Sequence, residues 1–257
     1  MSRPEHFVLV HGVGHGAWCW FKVRCHLESA GHKVSCLDLL GHSDPNSILS
    51  IQQYDAPLLD FMSHLKQEHE KVILVGHSAG GLSLTHAMHT FKSKIKLAIF
   101  VAATMLPWGF HTEQDIKDGV PNLSRFGDVY ELTYNSGPDN PPTSLALRKE
   151  FQRSILYQMS PVEDSTLACM LLRPWPACIS RAQFNKLEGG VEEEIIRRVY
   201  IKTSYDNMVS PEQQDAMIRR WPPDDVLVID SDHSPFFSAA AQLSQLIIKA
   251  SVVATGN

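Results

Sequence analysis

The chain has 257 residues, of which 44% are hydrophobic and 20% charged, and a formal net charge of -5. This length suits one large α/β domain or two small ones, and the mild acidity without any basic block excludes an electrostatic surface for nucleic acid or anionic membrane. Five cysteines (Cys19, Cys25, Cys36, Cys169, Cys178) have no metal-ligand spacing, their odd number argues against a disulfide framework, and no apolar stretch approaches the length of a membrane span.

The first residues, Met1-Ser2-Arg3-Pro4-Glu5, carry no charged-then-apolar leader, so a cytoplasmic protein with reduced cysteines is expected. His6–Val10 is a short apolar run that predicts a buried strand, and it ends at His11-Gly12. Residues 34–39 predict a second strand. In segment 51–68, Tyr54, Leu58, Phe61, Met62 and Leu65 share one face, which predicts a helix with Pro57 tolerated in its first turns. Residues 71–75 predict a third strand, 97–101 a fourth, 199–201 a fifth and 226–229 a sixth. The last helix is expected over 239–251. Continuous apolar runs rather than alternating ones fit strands buried on both faces of a parallel sheet. Alternating strand and helix then predicts an α/β fold with a mostly parallel, doubly wound sheet.

One stretch interrupts the alternation. From Met105 to Gly190 the chain is rich in proline, with helical pieces expected at 144–158 and 162–172 and no buried-strand pattern. It reads as a helical lid inserted after the fourth strand, over the strand ends where ligands bind in open parallel sheets. The expected organisation is therefore a core of 1–104 and 191–257 with a lid of 105–190.

The chemistry centres on Gly76-His77-Ser78-Ala79-Gly80, which directly follows the third strand. That is the G-x-S-x-G nucleophile elbow, a sharp strand-to-helix turn that lifts a serine hydroxyl clear of the backbone. A serine nucleophile needs a base, and the base needs an acid to orient it. In an α/β-hydrolase fold these follow in the order serine, acid, histidine. Of the thirteen histidines, His233 follows the sixth strand at the same sheet edge as Ser78. His77 neighbours the nucleophile but is expected to point elsewhere; His6, His32, His64, His69, His86 and His89 read as surface or packing residues. Asp206, after the fifth strand, is the expected acid; Asp232 is its rival but adjoins His233 in sequence. The oxyanion donors are expected to be the backbone N–H groups of Val13 and Ala79. The scheme calls for no metal and no cofactor. A competing pattern exists: Gly12-Val13-Gly14-His15-Gly16-Ala17 matches a dinucleotide-binding loop, with Asp38 as a ribose acid. That alternative leaves Ser78, Asp206 and His233 idle.

Taken together, the motifs resemble the plant methylesterase family of α/β-hydrolases. The similarity lies in His6 to Gly12, His15 to Trp20, Leu27 to Val34, Val75 to Gly81, Ser160 to Asp164, Leu171 to Pro174 and Asp232 to Ser238. The ending Asp232-His233-Ser234-Pro235-Phe236-Phe237 is most similar to the indole-acetate methylesterase branch, with pheophorbidase-like enzymes of chlorophyll breakdown as neighbours. The family also contains hydroxynitrile lyases, which carry a threonine where this chain has Gly12 and a lysine where it has Ser234. The resemblance therefore implies a carboxylesterase acting on methyl esters of small apolar or aromatic acids of plant-hormone type, rather than a lyase. A ligand-binding receptor built on the same fold is a third alternative. The substrate wall is expected to include Gly12, His15, Trp108, Phe126, Tyr130, Phe151 and Met159. Expected partners are a small-molecule ester, no nucleic acid and no membrane, with room for a homodimer. Gly41-His42-Ser43-Asp44, in the loop after the second strand, departs from many relatives and carries no functional conclusion.

Overall fold

The computed structural model describes residues 4–41, 44–66, 71–184 and 196–253. Six strands build the main sheet: β1 (His6–Val10), β2 (Lys33–Leu37), β3 (Val72–His77), β4 (Ile95–Val101), β8 (Arg197–Thr203) and β9 (Asp225–Ile229). Their order is β2-β1-β3-β4-β8-β9 and every pairing is parallel. Strands β1, β3 and β4 are apolar almost throughout and buried on both faces, as helices on each side of the sheet require. The covering helices are α1 (Phe21–Ser29), α2 (Ile51–Tyr54), α3 (Ala56–His64), α4 (Gly80–Thr90), α8 (Pro211–Arg220) and α10 (Ala240–Val253). A short helix, α9 (Pro235–Ser238), leads into α10. No helix among the described residues is long and apolar enough to cross a membrane.

The lid lies between β4 and β8, after the fourth strand of the chain. It holds α5 (Glu113–Gly119), α6 (Lys149–Leu156) and α7 (Val162–Leu171). It also holds a three-stranded antiparallel sheet of β5 (Tyr130–Thr133), β6 (Ser144–Leu147) and β7 (Trp175–Pro176), so it is not purely helical. These strands escape an apolar-run reading because they are short and partly exposed. Ser144–Leu147 has helix-compatible residues, yet it pairs with the β-favouring Tyr130–Thr133, and tertiary pairing overrides local preference. The expected helix at 144–158 is thus a strand followed by α6.

The expected helix at 51–68 is two helices, α2 and α3. Pro57 lies in the first turn of α3 and has no N–H to continue the ladder from α2. The lid boundary at Gly190 lies outside the described residues, as do His42, Ser43 and His69.

Candidate active site

The sheet edge positions every functional loop. At the end of β3 the chain turns so sharply that Ser78 adopts φ 53°, a left-handed conformation that costs a side-chain-bearing residue energy. Bonds on both sides hold it there: Ser78 N–H donates to Val101 O at 3.2 Å, and Ser78 O accepts from Gly81 N at 3.0 Å and Thr104 N at 2.9 Å. The flanking glycines are required by contact. A Cβ on Gly76 would lie 2.7 Å from Leu84 Cδ1, and one on Gly80 would lie 2.6 Å from His11 O.

Ser78 Oγ lies 3.0 Å from His233 Nε2, and His233 Nδ1 lies 2.8 Å from Asp206 Oδ2. All three residues are buried. With Nδ1–H donated to the carboxylate, Nε2 is left to accept the serine proton. Asp206 is itself fixed. Its Oδ1 accepts from the backbone of Met208 and Val209, each at 2.8 Å, and its Oδ2 accepts from Thr203 Oγ1 at 2.9 Å. The rival Asp232 does not reach the imidazole in this way; its oxygens bind Met159 N, Ser160 Oγ, Ser234 N and Ser238 Oγ. Asp38 accepts from Ala17 N at 2.7 Å and so braces the loop after β1, a structural job in place of the ribose contact of the dinucleotide reading.

Val13 and Ala79 both border Ser78, and neither backbone N–H is taken up in the turn and loop hydrogen bonds of the described residues. His11 holds this loop through both ring nitrogens. Nδ1–H donates to Gly12 O at 2.8 Å, and Nε2 accepts from Leu39 N at 3.1 Å. Gly12 serves by its lack of a side chain, since a Cβ there would lie 2.7 Å from Ser78 Cβ.

Two cavities meet at Ser78. The larger, about 180 Å³, is bordered by His15, Gln152, Leu156, Trp175, Met208 and His233. The smaller, about 110 Å³, is walled mainly by apolar groups including Leu82, Phe110, Val120, Tyr130 and Leu145. Burial pushes the Tyr130 hydroxyl up to about 12, so this wall is uncharged at neutral pH. Of the expected wall residues, His15 and Tyr130 border these cavities. The other lid residues expected there lie elsewhere. Trp108 stacks on His89, with ring centroids 4.7 Å apart. Phe126 packs against the core beneath the Arg125 guanidinium. Phe151 faces the core from α6, and Met159 is 44% exposed while its backbone binds Asp232. A count of aromatic residues in a lid cannot say which face each one takes. Gln152, Leu156 and Met208 were the less visible wall residues; the spacing Gln152-Ile155-Leu156 on one helix face was the available signal.

His77 turns toward the site rather than away from it. Its Nε2–H donates to His233 O at 2.7 Å, and the two rings lie 4.6 Å apart. Complete burial, and then the nearby His233 and His15, hold the His77 imidazole well below the usual histidine range, so it stays neutral. His86, expected as packing, donates from Nδ1–H to the buried Asp55 at 2.8 Å. No group of three or more metal-ligating side chains occurs among the described residues.

The chain as a whole is similar to known proteins. A family model described as "Alpha/beta hydrolase family" matches residues 7–246. Methylesterase 17 of Arabidopsis thaliana is 50% identical over 257 residues, covering 97% of this chain and 92% of the relative. The crystal structure of methylesterase MES16 from Arabidopsis superposes with TM-score 0.83 at 40% identity, covering 97% of this chain and 99% of that one. Tomato Methylketone Synthase I, solved with 2-tridecanone, superposes with TM-score 0.86 at 32% identity, covering 98% and 99% of the two chains. With one family model spanning core and lid alike, and with methylesterases matching almost end to end, the chain belongs to the α/β-hydrolase family and, within it, to the methylesterases.

Proposed function

We propose that this methylesterase is a serine carboxylesterase for methyl esters of apolar, aromatic acids of plant-hormone type, such as methyl indole-acetate. One observation supports it above the others: His233 Nε2 is within 3.0 Å of Ser78 Oγ, where two cavities with largely apolar inner walls meet. Ser78, giving its proton to His233, attacks the ester carbonyl. The N–H groups of Val13 and Ala79 stabilise the oxyanion, the role that gives preorganised donors their large catalytic effect. His233 then protonates the departing methanol and activates water to release the acid. Asp206 holds the imidazole tautomer and stabilises its charged form.

Cyanohydrin cleavage is the weaker reading. Such a reaction needs a cation beside the base to receive cyanide. The residue after His233 is Ser234, wholly buried and neutral.

The test is a set of methyl esters of indole-acetate, jasmonate, salicylate and a pheophorbide, with initial rates taken over a range of concentrations. The highest kcat/KM on a small aromatic ester supports the proposal. A highest value on the pheophorbide moves the substrate to chlorophyll breakdown, and no turnover of any ester removes the esterase reading.

A further inference from the structure

The two cavities that meet at Ser78 differ in what they can hold. Once Ser78 Oγ has attacked, the ester carbon is tetrahedral. One of its bonds goes to Oγ and one to the oxyanion. Two substituents remain, the acid part and the alkoxy group, and two cavities open at this point. An apolar cavity of about 150 Å³ in a protein core holds one benzene ring. A bicyclic aromatic acid therefore exceeds the smaller cavity, about 110 Å³, and belongs in the larger, about 180 Å³. The alkoxy group is left to the smaller one.

A methyl group underfills that space. By the same measure the smaller cavity takes about four carbon atoms, and methanol brings one. Its wall includes Leu82, Phe110 and Ile179, all buried and apolar. Among the described residues no charged side chain borders it. The hydroxyl of Thr104 is spent on Gly119 O at 3.3 Å. The wall thus offers contact to an alkyl chain and asks for no polar group. An underfilled apolar cavity forgoes the burial and the dispersion contacts that each further CH₂ would supply.

We propose that the esterase activity extends beyond methyl esters to esters of linear alcohols of about two to four carbons, whose alkyl chains fill the cavity walled by Leu82, Phe110 and Ile179. This goes beyond the methyl-ester reading and rests on its serine chemistry. The alkoxy oxygen stays at the junction of the cavities, where His233 Nε2 lies 3.0 Å from Ser78 Oγ and can protonate it. Methanol and butanol are leaving groups of nearly equal basicity, so the chemical step changes little along the series. The added contact lies away from the reacting carbonyl and forms equally in ground and transition states. Its effect falls on KM and leaves kcat nearly unchanged.

The test is a series of methyl, ethyl, propyl, butyl and octyl esters of indole-3-acetic acid. In the wild-type enzyme kcat/KM should rise about 3-fold per added CH₂ up to butyl, about 30-fold in all and mostly through KM. It should fall again at octyl, whose chain is longer than the cavity. Val120 borders this cavity from the end of α5, and Leu145 borders it from β6. Val120→Phe should erase the rise and bring the butyl ester to or below the methyl ester. Leu145→Phe fills the same space from another wall and should do the same if the first variant folds poorly. A wild-type kcat/KM that fails to rise beyond methyl would overturn the proposal. So would a rise that both filled variants leave intact. Hydrolysis of none of the esters would instead overturn the esterase reading beneath it.

Discussion

Asp232 fastens the loop of the base to the lid through Ser160: Asp232 Oδ2 accepts from Ser160 Oγ at 2.9 Å, and from Met159 N at 2.8 Å. Its other oxygen accepts from Ser234 N at 3.0 Å and Ser238 Oγ at 2.8 Å, at the two ends of α9. The same lid turn reaches two further loops of the candidate site. Tyr157 meets His15 of the oxyanion loop, Gln158 Nε2–H donates to Tyr205 O, and Asn207 Nδ2–H donates to Ser154 O beside the acid. Lid residues 154–160 therefore touch the loops that carry His15, Asp206 and His233. The lid both covers the site and sets the register of its parts.

This connection predicts the behaviour of Asp232→Asn. The amide keeps the shape but turns one acceptor into a donor, and every neighbour of the carboxylate listed above is a donor. The loop of His233 should loosen, with kcat falling about 10- to 100-fold and KM changing little. The comparison belongs well below the melting temperature of the variant, so that lost activity is not lost protein. An unchanged kcat in a variant with a lowered Tm would reduce Asp232 to a purely structural tie.

Ser78→Ala should abolish ester hydrolysis, with kcat lower by about a thousandfold or more, while retaining the product acid. Stopped activity with acid binding intact, by calorimetry, is the expected pair of results. Residual turnover above about a tenth of wild type would point to another nucleophile.

The sequence made this core legible for a physical reason. A nucleophile elbow needs small residues at fixed offsets, and Gly76 and Gly80 stand where any Cβ would strike Leu84 Cδ1 or His11 O. Asp206 and His233 occupy loops whose order follows from the sheet, so their meeting beside Ser78 could be expected from position. The lid followed no such rule. Short, half-exposed strands such as Tyr130–Thr133 leave no apolar run, and Pro57 splits a segment whose periodicity reads as one helix. The facing of Trp108, Phe126, Phe151 and Met159 depends on contacts distant in sequence, which composition does not encode. Gln152 was hidden because a polar residue on an apolar helix face resembles noise until its neighbours are known.

A side chain at Gly12 should force a shift of its neighbours in this chain. A Cβ there would meet Ser78 Cβ at 2.7 Å and His77 Nδ1 at 3.1 Å, and neither neighbour is a flexible chain end. Gly12→Thr should displace the nucleophile or the oxyanion loop and cost at least about 100-fold in kcat/KM on any methyl ester. It should gain no cyanide release from mandelonitrile, because Ser234 still supplies no cation. A variant with near-normal esterase rates would show that the loop after β1 yields freely.

Acid should weaken the fold partly through His77. In the native state its imidazole is held neutral by burial, well below the usual histidine range. The unfolded chain takes up that proton below about pH 6.5. The unfolded state then binds more protons, so stability is complete above that pH and declines as pH falls below it. Urea unfolding at pH 7.5 and 5.5 measures the decline. His77→Gln should reduce it, by up to about 1.4 kcal/mol per pH unit in the window where only the unfolded histidine is charged. An identical pH dependence in wild type and variant would remove His77 as a source.

The acyl group should occupy the larger cavity, and Leu156 offers a way to test this. Leu156 follows Gln152 by four residues on α6, so the two lie one turn apart on the same helix face. Both border the cavity shared with Ser78 and His233. Leu156→Trp would fill part of that space without touching the reacting groups. An ester with a bulky acid should then suffer, and an ester with a very small acid should not. Methyl indole-acetate is expected to lose about 10-fold or more in kcat/KM, while methyl acetate stays near its wild-type value. Overpacking can also destabilise, so the Tm of the variant must accompany the rates. Equal losses on both esters in a stable variant would mean that the tryptophan disturbs the reacting groups themselves. Equal retention on both would place the acyl group in the smaller cavity, beside Leu82, Phe110 and Leu145.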